Sequence, residues 1–304
     1  MNRWLKNWPI SYDGDNRKEV VALSEIGSVL VQPLEKEQTI ASSLTRQEHE
    51  WFKRAAFAFV AICLPLLAYM GMVGTGYFLT DRVSLDKLTH SIQSGFIQNQ
   101  NGLPDRVAIR YQDMPAYITN AIIAIEDHRF HRHIGVDPRG MARAVYVNVI
   151  KGEKAQGGST ITMQLARNLF LTQDKTYTRK MKEIAIALYL ETVYTKEQLM
   201  ELYVNQVYFG HGTYGMESAA RYYFGKTTRM DGKSVPTISE KEAAMLAGML
   251  KAPEYYSPRD HAKKAEQRQQ VVIKRIAELD ALKQSSTQRT GTAYTFGKTD
   301  QARP

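Results

Sequence analysis

Apolar residues are spread unevenly along this chain. Ala55 to Leu79 reads AAFAFVAICLPLLAYMGMVGTGYFL, 25 residues without a charge. At ~1.5 Å per residue, a helix of that length crosses the ~30 Å hydrocarbon core of a bilayer. Lys53 and Arg54 flank one end, Asp81 and Arg82 the other. The run is too long, and too far from the N-terminus, for the apolar region of a signal peptide. The pattern predicts one membrane-spanning helix over 55–80. Three Lys/Arg in 40–54 against two in 80–94 lean toward the N-terminus inside.

Beyond it the apolar spacing is helical. Ile118, Ile122 and Ile125 make one stripe of a helix that Asp113 is placed to cap, with Pro115 in its first turn. A second helix is expected over Pro138–Ile150, with Met141, Val145 and Val149 on one face. A third starts after Gly157 and Gly158, and a fourth covers about Thr178 to Tyr194. Thr195 with Gln198, and Ser239 with Glu242, form capping boxes for two more, the last stopping before Pro253. Lys263 to Leu282 is a charged amphipathic helix. Strand signals are sparse, so the fold class is mainly α. The expected organisation is a flexible tail over 1–54, the membrane helix, a stalk over 81–112, a helical domain over 113–282 and a disordered polar tail over 283–304.

Composition adds two constraints. The single cysteine, Cys63, excludes an intramolecular disulfide framework. The net charge of +9 lies wholly outside the first 54 residues, which carry eight basic and eight acidic groups. A basic domain tethered at a bilayer suits anionic lipid heads or a phosphate-bearing substrate. No zinc-finger spacing or aromatic RNA-binding motif points to nucleic acid.

Four polar runs can carry chemistry. EDHRFHRHIGVD, 126–137, follows the apolar helix directly; a carboxylate at such a boundary can be desolvated toward useful acid–base values, or the run can be a solvated helix end with surface charges. The spacing of His128, His131 and His133 matches no standard zinc motif. QGGSTITMQLARN, 156–168, turns on two glycines. It then opens a helix whose N-terminus suits an anion and whose Thr160, Gln164 and Asn168 form a polar stripe beside Arg167. KTYTRKMKEIAIALYLE, 175–191, sets Glu183 on one face with Arg179 and Lys180, a second carboxylate beside cations able to stabilise a leaving phosphate. YVNQVYFGHGTYGMESAARYYFGK, 203–226, reads as a packed structural knot in which Asn205 is the polar side chain placed to face a ligand.

In order, and with EAAMLAGMLKAPEYYSP at 242–258, these runs resemble the five motifs of the peptidoglycan glycosyltransferases of glycosyltransferase family 51. That family comprises the polymerase module of penicillin-binding proteins and the monofunctional biosynthetic transglycosylases. The resemblance covers about Tyr111 to Pro258. It implies a lysozyme-like, bilobed helical domain behind the membrane helix, on the outer face of a bacterial cytoplasmic membrane. It implies polymerisation of lipid II into β-1,4 glycan with inversion and release of undecaprenyl diphosphate. Glu126 falls at the general base and Glu183 at the second essential glutamate. Ser159, Thr160, Gln164, Arg167, Lys175 and Arg179 fall at donor-site or diphosphate positions. Asp127, Phe130, His133, Gly135, Gly157, Gly158, Gly210 and Gly212 fall at structural motif positions.

The implied partners are lipid II, the growing glycan, membrane lipid and other wall-synthesis or division proteins. No tightly bound cofactor is implied, although Mg2+ or Mn2+ stimulates relatives, and no dedicated ligand cluster stands out. The segment from Met141 to Ile150 resembles the family's membrane-dipping subdomain. Two departures stand out: Met163 replaces a usual glutamine and Arg167 a usual lysine, which keeps the charge. No SxN or KTG motif follows Pro258, so the expectation is a monofunctional enzyme. A lysozyme-like hydrolase would leave the cations idle, and a non-catalytic scaffold would not need the glutamates.

Overall fold

The helices begin and end where local chemistry dictates. In the computed structural model, which describes residues 51–98, 104–151, 157–231 and 235–296 apart from Phe52 and Ala56, the chain is mainly helical. It divides into two units after Ala68. Apart from Trp51, the described residues of the first unit belong to helix α1 (Lys53–Leu79), which is long and apolar enough to cross a membrane, with mean hydropathy 2.2. The expected tail over 1–54 lies almost wholly outside the described residues.

In the second unit, α2 (Arg82–Gln93) is capped by Asp81 and followed by an antiparallel hairpin, β1 (Phe96–Gln98) with β2 (Pro104–Val107). Leu85, Ile92, Ile97, Ala108 and Ile109 all enter the hydrophobic core. The stalk expected over 81–112 is therefore part of the folded domain. Each of these larger side chains contributes about 1.5–3 kcal/mol on burial, a reward that an extended stalk forgoes.

Helix α3 (Ala116–Glu126) starts after Pro115, and no side chain caps it. Asp113, expected as the cap, instead ends a 3-10 turn and is held by Arg110 and Arg229. Ile118 and Ile122 are fully buried. Helix α4 (Pro138–Lys151) follows, then α5 (Ile161–Phe170), capped by Thr160, and α6 (Tyr177–Val193), capped by Thr176. Helix α7 (Lys196–Gln206) and α9 (Glu240–Met249) both open on the capping boxes that their sequences announce. Between them, α8 (Met216–Phe224) ends on Gly225 in the left-handed region, φ +66°. There the Gly225 N–H reaches back to the Arg221 carbonyl at 3.0 Å, the bond of an αL stop.

Helix α10 (Ala262–Phe296) runs past the expected end at Leu282. Once nucleated, a helix gains one bond per added residue, and no proline stops it there. Small residues on α9 bring it close to α10: a Cβ on Gly248 would lie 3.0 Å from Arg268 Cγ. Helices α9 and α10 pack with α3, whereas α5 packs on α6 and α7. Glu126, the last residue of α3, is where these two groups of helices meet.

Candidate active site

The site is built outward from Glu126. Its Oε2 accepts a 2.7 Å bond from Gln164 Nε2 on α5. The Gln164 Oε1 in turn accepts from the hydroxyl of Tyr203, at 3.1 Å. The amide is thereby oriented, with its NH2 toward the carboxylate. Burial pushes the Glu126 carboxyl above its ordinary range; the Gln164 bond and the charges of Arg268 and Arg167 oppose the rise. Burial also holds the Tyr203 hydroxyl protonated, so it stays a donor.

The neighbouring carboxylate does different work. Asp127 Oδ2 accepts from the N–H of Ile161, at 3.1 Å, and from His133 Nε2, at 2.8 Å. Because the Gly135 N–H donates to His133 Nδ1, the ring hydrogen sits on Nε2. Thr160 Oγ1 donates to the Gly135 carbonyl at 2.6 Å and accepts from the Met163 N–H. Gly135 has φ +90°, and a Cβ there would stand 2.7 Å from the Ala187 carbonyl oxygen. Both the backbone angle and the close approach to α6 demand glycine. These bonds clamp the loop after α3 onto the start of α5, so Glu126 and Gln164 face each other. Phe130 is buried below, with Lys196 over its ring.

A second carboxylate lies on α6. Glu183 is 1% exposed and ion-paired with Arg179 and with Lys180, the latter at 2.9 Å. Lys180 Nζ also donates to Ser159 Oγ, at 2.6 Å. Burial, with Arg167 and Arg179 nearby, lowers Lys180 to about 8. Arg167 reaches both Glu126 and Lys180 with its charge. Its buried Nε has no hydrogen-bond partner among the described residues, so a donor is left over in the site. A cleft of about 790 Å³ is lined by Glu126, Ser159 and Gln164 on one side and by residues of α10 on the other, and Lys180 reaches its Ser159 wall.

The order of these motifs along the chain can be set against known proteins. A family model described as transglycosylase matches residues 94–277, more than half of the chain. The chain belongs to the transglycosylase family. It is 41% identical over 219 residues to penicillin-binding protein 1F of Bacillus subtilis, covering 69% of this chain and 29% of that protein. It is 45% identical over 177 residues to penicillin-binding protein 1A of Aquifex aeolicus, covering 58% of this chain and 23% of that one. A Cupriavidus necator protein named as a transglycosylase is 45% identical over 176 residues, 58% of this chain and 72% of its own length. The chain thus spans under a third of the first two relatives. The family match begins within the α2–β1 turn, in keeping with a hairpin that belongs to the folded domain.

Within this transglycosylase domain, most expected site residues converge and some do not. Glu126, Ser159, Gln164, Arg167, Arg179 and Glu183 come together. Lys175 is exposed in the segment between α5 and α6, and Asn168 is exposed too. Thr160 is 3% exposed and spends both hydrogen-bonding directions on backbone, so it shapes the α5 start and is not turned to a ligand. Asn205 is corrected as well. Its amide bonds Ile109 on both N–H and carbonyl and also the Glu201 carbonyl, which ties the segment after β2 to α7 and leaves nothing for a ligand. Met163 is fully buried in the core, so the glutamine missing there costs the cleft no contact.

Gly158 allows close approach of α4, while Gly157 is open to solvent. Gly210 and Gly212 both have positive φ in the turn that pairs Tyr208 with Tyr214. The three histidines diverge: His133 meets Asp127, His128 meets Arg143, and His131 is exposed. Among the described residues no three His, Cys, Asp or Glu stand together in a group that could hold a metal ion.

Lys180, expected on the helix face of Glu183, is found against that carboxylate and Ser159. Two further contributors have no signal in the motifs: Tyr203 and Arg268 reach the site only through helix packing.

Proposed function

We propose that this chain polymerises lipid II into β-1,4 glycan, with inversion and release of undecaprenyl diphosphate. The observation that carries the reading is a desolvated Glu126 lining a cleft whose Ser159 wall is bonded by Lys180, which with Arg179 is organised on a buried Glu183, while the charge of Arg167 reaches both Glu126 and Lys180. Glu126 takes the proton from the 4-hydroxyl of the acceptor sugar. The freed oxygen forms a bond to the donor's anomeric carbon. The bond from that carbon to the diphosphate oxygen breaks, and its electron pair leaves with the diphosphate. The cations stabilise the charge that builds there. A hydrolase acting on polymer would have no use for this second group of charges.

In this reading the domain is lysozyme-like and bilobed, and α1 anchors it in the cytoplasmic membrane with the cleft on the outer face. On α4, Val145, Tyr146, Val149 and Ile150 are each more than 60% exposed, an apolar face suited to the bilayer interface. Their exposure speaks against a core-facing α4. Mg2+ or Mn2+ would act on the diphosphate, and no step here depends on it. Labelled lipid II incubated with the detergent-solubilised full chain tests the proposal. Glycan product with one lipid diphosphate released per bond supports it; cleavage of preformed glycan without polymer would replace it with the hydrolase.

A further inference from the structure

The proposed reaction brings together two lipid-linked diphosphates, one released and one retained, yet the cations gathered on Glu183 form a single group. The α10 side of the cleft carries a second set that none of the sequence motifs contains. Arg268, Val271, Arg275 and Glu278 recur at i, i+3, i+7 and i+10, one face of a helix, and all line the cleft together with Lys274. Arg268 is tethered by its Nε to the Gly248 carbonyl, at 3.3 Å, and its charge reaches Glu126. Arg275 is held by Glu278 at 3.1 Å. Lys274 is exposed to the cleft and has no ion-pair partner among the described residues. Arg143 of α4 lines the same space, bonded to His128.

Spacing gives these charges a meaning. Six residues of helix separate Arg268 from Lys274, about 9 Å at ~1.5 Å per residue. Two linked sugar rings have a similar reach. In a lipid-linked disaccharide, that length separates the reactive 4-hydroxyl from the diphosphate. The Lys274 end of the face also shares the cleft with Arg143, and the exposed apolar residues of α4 begin two positions after that arginine. A membrane-borne phosphate would therefore arrive at the Lys274 end while the sugar points toward Glu126. We propose that Lys274, flanked by Arg275 and Arg143, holds the diphosphate of the acceptor and so positions its 4-hydroxyl at Glu126. This inference rests on the proposed polymerase activity. Lys274 is a positioning residue in it, not a catalytic one.

The test uses the full chain in uncharged detergent. Initial rates are measured against lipid II concentration for wild type, Lys274→Glu and Lys274→Arg. Loss of one charge-assisted phosphate contact should raise KM roughly tenfold for Lys274→Glu. Its kcat should stay within about twofold, and Lys274→Arg should match wild type, since any cation there serves. With a soluble disaccharide acceptor that lacks the diphosphate, wild type and Lys274→Glu should perform alike. An unchanged KM overturns the proposal, as does an equal loss with the acceptor lacking diphosphate. A loss seen only in anionic vesicles assigns Lys274 to lipid headgroups and also overturns it. Absence of polymer from wild type sinks the polymerase reading itself, a separate and visible failure.

Discussion

Glu126 and Glu183 are both withdrawn from water, yet their partners differ in kind. Glu126 ends an apolar helix and receives one neutral amide bond, so its charge is poorly compensated and burial raises its proton affinity. Glu183 is buried more completely but is wrapped by two cations and organises them. The lesson is that burial alone does not decide what a carboxylate does. A neutral partner leaves it ready to take a proton, whereas cationic partners make it an anchor for charges that can serve a phosphate.

Substitutions at the two sites should therefore fail differently. The largest effect belongs to Glu126→Gln, which keeps shape and removes the proton site. Glycan synthesis should fall by at least ~100-fold, with the thermal midpoint close to wild type. Glu183→Gln strands Lys180 and Arg179 without their anion. Unfolding free energy should drop by about 2–3 kcal/mol, and kcat should fall more than KM rises. Without Glu183 the ammonium of Lys180 is harder to keep charged, so its loss of charge should move to lower pH.

Arg167→Ala should weaken donor use by roughly tenfold or more, and Arg167→Lys by less, because lysine keeps the charge without the fork. Equal losses in steady-state kinetics would remove the phosphate role. The pH profile sharpens the contrast further. Activity should fall on the acid side as Glu126 takes up a proton, above the ordinary carboxylate range. It should fall on the alkaline side near about 8, as Lys180 loses its charge. Lys180→Arg should extend activity past that limb, since arginine stays charged. The smallest effect is that of Tyr203→Phe, which frees the Gln164 amide. A change of about 1 kcal/mol in stability and a few-fold loss of rate are expected, readable by denaturation and initial rates.

Much of this is legible in the sequence. The capping boxes at Thr195 and Ser239 are local, and local chemistry survives folding unchanged. The stripe of Ile118, Ile122 and Ile125 announced a helix that delivers Glu126 to its end. Thr160 and Asn205 were harder. A polar side chain in a motif can face a ligand or its own backbone, and only packing decides which. The residues from Leu85 to Ile109 read as a stalk because their apolar positions are few, yet Leu85, Ile92, Ile97, Ala108 and Ile109 find the core. Arg268 and Lys274 sit on a helix whose charged face reads as solvated until α10 is laid against α3 and α9. The helix beyond Leu282 was missed because polar composition masks how readily an existing helix extends.

The most direct test of the division of labour separates chemistry from binding in one variant. For Glu126→Gln, the single-turnover rate of glycosidic bond formation and the affinity for a non-reactive lipid diphosphate would be measured side by side. If Glu126 is the base and the phosphate is held elsewhere, the rate falls at least ~100-fold while affinity stays within about twofold. A rate above a tenth of wild type, or an affinity that falls together with the rate, would contradict that assignment.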